Sequence, residues 1–393
     1  MSNITEPQRE IPVVRNVDVL VVGGGTAGVP AALCAARLGA KTMLVERHNA
    51  FGGAITVGMT ITLPAYPIVG AAFNEIMRRM QDQYRGVAEM THECRFVVID
   101  QEMYKYEAMI MLEEAGVEIL LNTLAVETIA EDGAVGGIII ENKSGRQAIR
   151  AKVVVDCTGD ADIAFRSGAE TVTAPKDKLE PITLMWLAAN VDVERVRKED
   201  HVGGCDTSVH PGEINVWGGT IRNLDGADAW DLTRAEIDLR KQSIAQWLDR
   251  RANWPGWEDS YIGHSAPHLG VRETRRLVGQ YVVQHTEMKD TQYDDSIGTA
   301  QHDGPLPYRA MVPRDTDSLL VAGRCVSTDS ATQHTIRIAP TCALLGEAAG
   351  TAAALCTAQG MKPRELPADV LRPQLVKQGV YFGALGDLPK KLQ

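Results

Sequence analysis

Three groups of residues in this sequence have types and spacings suited to chemistry. Gly23, Gly25, Thr26, Ala27 and Gly28 belong to the run Gly23-Gly24-Gly25-Thr26-Ala27-Gly28, a G-x-G-x-x-G turn, and Glu46 follows it 18 residues after Gly28. Such glycines let a diphosphate approach bare backbone N–H groups, and a carboxylate at that distance can accept hydrogen bonds from ribose hydroxyls. His334 and Arg337 form the second group. A histidine takes and gives protons near neutral pH, and the arginine could hold an anionic substrate, steady a reduced cofactor or serve a structural ion pair. Arg272, Arg275 and Arg276 surround Glu273 in the third group. They could grip a substrate carboxylate with two parallel bonds or form a structural ion-pair network with that glutamate. His264 and His268 flank Pro267 four residues apart, but no further ligand residues accompany them, so no metal is expected.

The elements around these residues alternate between strand and helix. Val17 to Val22 is an apolar run ending in glycine and reads as a buried parallel strand. Ala27 to Leu38 reads as a helix and Lys41 to Glu46 as a second strand, which completes a βαβ unit with the glycine turn at its first bend. That context makes the turn a dinucleotide site, without choosing between NAD and FAD. Gln101 to Ala115 reads as a helix, VEILLNT and AVETIAE as strands, and DGAVGGIIIEN as a hairpin. Ala151 to Cys157 is another buried strand. From 167 to 307 the character changes: Trp186, Trp217, Trp230, Trp247, Trp254 and Trp257 all fall there, read as packing residues. The strand style returns at Ser318 to Gly323, followed by a long loop and a small-residue helix from Pro340.

Four further stretches narrow the choice. They are Glu46-Arg47-His48-Asn49-Ala50-Phe51-Gly52-Gly53, then Asp156-Cys157-Thr158-Gly159-Asp160-Ala161-Asp162, then Gly270-Val271-Arg272-Glu273-Thr274-Arg275-Arg276. The last is Val321-Ala322-Gly323-Arg324-Cys325, continued by Arg337-Ile338-Ala339-Pro340-Thr341-Cys342 and Gly346-Glu347-Ala348-Ala349-Gly350. In type, order and spacing the chain resembles the FAD-dependent oxidoreductase family of glutathione-reductase-like Rossmann flavoproteins, from residue 17 to about 355.

The resemblance implies an α/β chain: a Rossmann-type FAD-binding domain with an inserted α+β substrate domain. The expected division is 1–166 and 308–365 for the two parts of the FAD domain, 167–307 for the substrate-facing domain and 366–393 for a tail. It implies non-covalent FAD in extended form, its ring at the interface between the domains. Arg47, Gly52, Gly53, Val126, Thr158, Gly159, Asp160, Gly323, Arg324 and Thr341 join the turn residues and Glu46 as expected cofactor contacts. In many relatives an aspartate follows the glycine at the position of Arg324 and holds the ribityl chain, so here Asp160 is the carboxylate expected near the cofactor. The helix from Pro340 would aim its positive end at the flavin N1–C2=O edge, its small residues letting it sit close to the ligand. His334 and Arg337, read in the loop before that helix, would stand beside the ring as catalytic residues. Arg272 and His302 are the expected substrate contacts, His302 with a turn-fixing role as the alternative. His48 could alternatively attach the flavin covalently.

Composition sets limits on partners. The net charge is −11, which argues against nucleic acid. The seven cysteines form no C-x-x-C pair and no metal or cluster spacing, so free thiols in a reducing cytoplasm are expected. The start of the chain carries no apolar run of signal-peptide type, and Ala343 to Ala358 is interrupted by Gly346, Glu347 and Gly350, so no membrane contact is expected. No second G-x-G-x-x-G follows a strand, which argues against a separate NAD(P)H domain. The expected function is FAD-dependent oxidation or reduction of a small organic substrate by hydride transfer at flavin N5. The electron acceptor stays open, as does self-association. Two alternatives remain beside it: a flavin monooxygenase drawing on NADPH or an external reductase, and an electron-relay subunit of a larger complex.

Overall fold

The computed structural model describes residues 3–64, 70–84, 87–89, 96–198, 205–288, 291–300 and 304–383. The chain begins with the βαβ unit: β1 (Val13–Val22), α1 (Gly28–Arg37) and β2 (Thr42–Val45). The last residues of β1 and all of β2 are buried, as strands covered on both faces must be. β3 (Thr62–Pro64), α2 (Ala71–Tyr84), β4 (Val87–Glu89) and β5 (Phe96–Ile99) form a small excursion, with the strands in antiparallel order β3-β5-β4. The sequence reading did not anticipate this sheet, because its strands are only three or four residues long. Asp100 caps the next helix, α3 (Gln101–Glu114), by accepting from the N–H groups of Glu102 and Met103.

β6 (Glu118–Leu120), β7 (Leu124–Glu131), β8 (Ala134–Asn142) and β9 (Gly145–Asp156) complete the main sheet, whose order is β6-β2-β1-β9-β8-β7. The DGAVGGIIIEN stretch, read as a hairpin, supplies the turn and only one strand: β7 pairs with β8 across Asp132-Gly133, which have positive φ (50° and 76°). Short α4 (Asp162–Arg166) follows β9, and β10 (Thr171–Thr173) leaves the sheet.

The stretch from 167 to 307 builds its own sheet. β11 (Ile182–Ala189), α5 (Val193–Lys198), β12 (Cys205–Thr207), β13 (Ile214–Ile221), α6 (Ala229–Asn253) and β14 (Tyr261–Ser265) give a four-stranded antiparallel sheet, order β12-β13-β11-β14. Leu184 and Leu187 of β11 pack with Ala235 and Leu239 of α6 in one apolar cluster. Trp186 and Trp257 are fully buried in a second cluster, and the guanidinium of Arg250, near the end of α6, lies 4.9 to 5.5 Å from the rings of Trp254, Trp257 and Trp186. These tryptophans are packing residues. β15 (Arg275–Leu277) pairs with β10, and β16 (Ser296–Ala300) with β17 (Gly304–Pro307).

β18 (Leu319–Val321) then rejoins the main sheet parallel to β9. It is followed by α7 (Ser330–Ile336), α8 (Ala339–Gln359) and α9 (Ala368–Gln378). α8 is long and apolar enough to cross a membrane, yet 83% of its most apolar window is buried inside the protein. A Cβ on Gly346 would lie 1.9 Å from the Ala27 carbonyl oxygen, and one on Gly350 would lie 2.0 Å from that of Ala31. The small residues of α8 therefore bring it into backbone contact with α1, rather than giving a ligand room as the sequence reading expected. A small-residue stripe reveals close approach, but not to what. Glu347, between those glycines, is fully buried and accepts from the N–H groups of Ala71, Ala72 and Phe73, which satisfies the open end of α2.

Candidate active site

Between β1 and α1 the glycine turn is held open by its surroundings. A Cβ on Gly28 would lie 1.7 Å from the Gly23 oxygen, so only glycine lets the helix start there. Gly25 is different: the nearest atom a Cβ would meet is the Gly53 Cα, at 3.8 Å. The space above Gly25 is left free by the fold, and the Gly52-Gly53 pair forms its far wall. That wall is fixed by Gly52 N–H donating to the Gly24 oxygen at 2.9 Å and by the Thr26 hydroxyl donating to the Gly52 oxygen at 3.4 Å. Glu46 is 6% exposed, and its two oxygens accept from the N–H groups of Gly24 (2.6 Å) and His48 (2.7 Å). Each oxygen keeps lone-pair capacity for a further donor such as a ribose hydroxyl.

The D-x-T-G-D turn is organised by Asp156 at the end of β9. Its carboxylate is buried and accepts from Thr158 N–H and hydroxyl and from the N–H groups of Ile163 and Ala164. Burial pushes its carboxyl up to about 6, against those hydrogen bonds. Asp160 accepts from the Thr274 hydroxyl at 2.6 Å and from Arg324 Nη2 at 2.5 Å. Burial would raise the Asp160 carboxyl, but Arg324 and Thr274 together hold it below its ordinary value. The Asp160 carboxylate is thus engaged within the protein, and Arg324 is the member of the pair that lines the cleft. This corrects the expectation that Asp160 itself faces the cofactor.

One cleft connects these parts. Gly23, Gly25, Thr26, Ala27, Glu46, Arg47, Gly53, Thr158, Gly159, Gly323, Arg324 and Arg337 all line it. Its non-atom space is about 1160 Å³, the open mouth included. Gly28 and Gly52 support the walls. Val126 does not line the cleft: its carbonyl accepts from Arg166 at 2.7 Å, and its neighbours Thr123, Leu124 and Ala125 face the space instead. Thr341 is fully buried one residue before Cys342, which does line the cleft. His302 lies outside the described residues.

His334 is placed differently from the sequence reading. It lies in α7, not in a loop, and does not line the cleft. Its Nδ1 is 3.2 Å from Glu180 and its Nε2 3.5 Å from Glu273. Glu273 also pairs with Arg276 and accepts from the Ser330 hydroxyl, and Arg275 pairs with Asp162, so those two arginines belong to structural ion pairs. Two histidines do line the cleft, His48 and His268, the second of which the sequence analysis weighed only for metal. Arg47 Nη2 lies 3.3 Å from His268 Nε2, and a guanidinium only donates, so His268 accepts there. Burial first, then Arg47, His48 and Arg324, press its imidazole down to about 3, so it is neutral. Among the described residues no group of three or more histidine, cysteine or carboxylate side chains could hold a metal. Ala54, Val57, Gly58, Thr60 and Leu269 are further lining residues with no sequence signal, since small apolar side chains carry none.

Two buried donors without partners among the described residues, Arg324 Nε and Arg337 Nε, sit on residues that line the far end of the cleft, and a third such atom, Thr341 Oγ1, belongs to the residue before the lining Cys342. Buried donors are rarely left unmet in a folded chain. Their position near the start of α8, with the free space above Gly25 and the Glu46 carboxylate beyond it, fits an extended dinucleotide with polar ring atoms at one end, a diphosphate in its middle and an adenosine ribose past it.

A Rossmann-type sheet with this cleft defines a dinucleotide-binding protein. The chain belongs to the FAD dependent oxidoreductase family, whose model matches residues 18–210, 197–305 and 302–375, and FAD is its cofactor. It is similar to thiamine thiazole synthase of Aeropyrum pernix, 30% identical over 209 residues that make up 50% of this chain and 70% of that protein. It is also similar to digeranylgeranylglycerophospholipid reductase of Methanoculleus marisnigri, 27% identical over 209 residues, 48% of this chain and 50% of that protein. The chain thus spans about half the length of that reductase. In fold it is similar to a geranylgeranyl bacteriochlorophyll reductase-like protein of Thermoplasma acidophilum, with a TM-score of 0.51 and 16% identity over 93% of this chain and 82% of that one. It is similar as well to p-nitrophenol 4-monooxygenase of Pseudomonas putida, with a TM-score of 0.52 and 13% identity over 92% and 84% of the chains.

Proposed function

We propose that this enzyme oxidises or reduces a small organic molecule at the end of the cleft beside the start of α8. The observation that carries this reading is the continuity of the cleft from Gly25 and Glu46 to Arg324, Arg337 and Cys342. Bound FAD supplies hydride transfer at its N5 position. The chain's residues supply the rest. Gly25 and Gly53 leave room for the diphosphate, and Glu46 accepts from the ribose. Arg324, fixed by Asp160, and the unpartnered Arg337 Nε offer donors at the ring end. The α8 amino terminus adds its partial positive charge there, favouring a reduced, anionic ring.

Each turnover must also move a proton. His334 sits between Glu180 and Glu273, and Glu180 is 3.9 Å from Arg337, so a proton leaving the cleft past Arg337 can reach solvent through Glu180 and His334. The test is anaerobic addition of alcohols, amines and acids to the yellow protein, read as flavin bleaching. Productive substrates bleach the wild type, whereas His334→Ala keeps its FAD and loses turnover. Bleaching by NADPH alone, or by a partner protein alone, would replace this reading with the monooxygenase or the relay. Unchanged turnover in His334→Ala would remove the proton route.

A further inference from the structure

Around the α8 end of the cleft the positive and negative groups do not balance. Glu273 is saturated by Arg276, by the Ser330 hydroxyl and by the Glu180 N–H, and Asp160 is taken by Arg324 and Thr274. That leaves Arg272 and Arg337 with Glu180 as the carboxylate between them. Glu180 is 3.9 Å from Arg337 and is shared with His334. Two guanidiniums against one carboxylate leave one positive charge, and the exposed Arg222 adds another of the same sign nearby.

The fold nevertheless holds these two arginines in place. Arg272 Nη1 donates to the Pro181 oxygen at 2.7 Å, and Gln333 Nε2 donates to the Arg272 oxygen at 2.7 Å, which ties the 270–272 loop to α7. Arg337 is the residue that ends α7, and it lines the cleft with Nε buried and unpartnered. Burial, then the neighbouring Arg337, lowers the Arg272 guanidinium from its ordinary value. Burial also lowers Arg337, with Glu180 opposing the fall. Arg272 does not itself line the cleft, but Gly270 and Val271 just before it do, so the pair stands at the cleft's edge. Keeping like charges together and partly desolvated costs stability, and such clusters mark binding sites for the opposite charge. Beside them Leu269, Val271 and Val57 give the cleft an apolar wall.

We propose that the substrate is an organic acid whose carboxylate is bound by Arg272 and Arg337, with its apolar part against Leu269, Val271 and Val57. One excess positive charge suits a monoanion, and two planar guanidiniums suit the carboxylate fork. The cofactor's diphosphate would be received away from this end, by the backbone N–H groups of the glycine turn around Gly25. This inference rests on the proposed function only in taking the α8 end as the substrate end.

The experiment titrates FAD-loaded protein with acetate, propionate and benzoate, with acetamide, propionamide and benzamide, and with inorganic phosphate, following the flavin absorbance spectrum. At least one acid should perturb the spectrum saturably, at a concentration ten or more times lower than its amide. Arg272→Gln should weaken that acid at least tenfold with FAD content unchanged, and Arg272→Lys should fall between. If Arg272→Gln does not retain FAD, the acid-to-amide ratio of the wild type and of Arg272→Lys decides. Acids and amides titrating alike would overturn the inference, as would an Arg272→Gln protein that binds the acid normally or phosphate that displaces the acid at lower concentration. Protein that binds these acids but is bleached by no substrate would refute the proposed function and leave this site standing.

Discussion

At the glycine end of the cleft the groups offered to a ligand are backbone N–H groups and open space, fixed by residues that lack side chains. At the α8 end they are guanidiniums and a hydroxyl, fixed by ion pairs between segments far apart in sequence, such as Asp160 with Arg324 and Glu180 with Arg337. The first end tolerates almost no substitution at its tightest point but depends little on charge. The second can accept many side-chain changes sterically, yet depends on the buried ion pairs that fix its arginines.

The largest effect is expected from Gly28→Ala. Its new Cβ would meet a backbone oxygen at 1.7 Å, and neither partner can yield without moving the start of α1. The cost should exceed the ~1–3 kcal/mol usual for overpacking, and the protein should lose both FAD and thermal stability. Gly25→Ala is the counterpart, since its Cβ meets only the Gly53 Cα at 3.8 Å. The apoprotein should melt within a few degrees of wild type while FAD affinity falls at least tenfold. Equal losses of apoprotein stability in the two variants would show that the space above Gly25 is structural and not reserved for a ligand.

This contrast also governs what the sequence reveals. The turn, Glu46 and the β1-α1-β2 unit are legible because their spacing is local and each glycine answers a steric demand within about thirty residues. The α8 end resisted reading. Asp160 and His334 were assigned roles from their motifs, but their ion-pair partners set what each one does, and those partners depend on which distant segments arrive beside them. Glu180 brings both His334 and Arg337 into its neighbourhood from about 150 residues away. His268 was overlooked for the same reason: nothing in Pro267-His268-Leu269 indicates that Arg47 will point at it. Small apolar residues such as Ala54 and Val57 carry no signal at all.

Asp160→Asn tests the charge dependence of the α8 end. It would leave the Arg324 guanidinium without its counter-charge while keeping an oxygen for Thr274. Stability should fall by ~3 kcal/mol, the lower part of the range for breaking a buried ion pair, measured by chemical denaturation of the apoprotein. A loss below ~1 kcal/mol would mean that water reaches Arg324 and that the two ends are not built differently in this respect.

A smaller effect per residue separates the buried carboxyls by pH. Glu347 is raised from 4.5 to about 7, chiefly by burial, and Asp156 from 3.8 to about 6, also chiefly by burial. Each binds its proton more tightly folded than unfolded, so the stability it lends is complete below the unfolded values and is lost as pH rises through about 6 to 7. The apoprotein should therefore melt higher at pH 5 than at pH 8, by an amount equivalent to ~4 kcal/mol for the two together. Glu347→Gln should remove most of that slope. A melting temperature that rises from pH 5 to pH 8 in the wild type would show that the hydrogen bonds to α2 keep Glu347 ionised.

The smallest effect is expected where an ion pair of comparable length stands in solvent. Lys152 Nζ is 2.7 Å from Asp18, with side-chain exposures of 65% and 29%, and Asp18 also accepts from the Lys41 N–H. The Lys152 bond, and then the Lys41 N–H, hold the Asp18 carboxyl below its ordinary value, but water and the remaining donor compensate when the lysine is removed. Lys152→Ala should change stability by less than ~1 kcal/mol and leave FAD binding untouched. Because its length nearly matches the 2.5 Å Arg324–Asp160 pair, the two substitutions isolate burial as the variable. Were Lys152→Ala to cost as much as Asp160→Asn, pair geometry alone would set the cost, and burial would no longer explain why the α8 end depends on its charges.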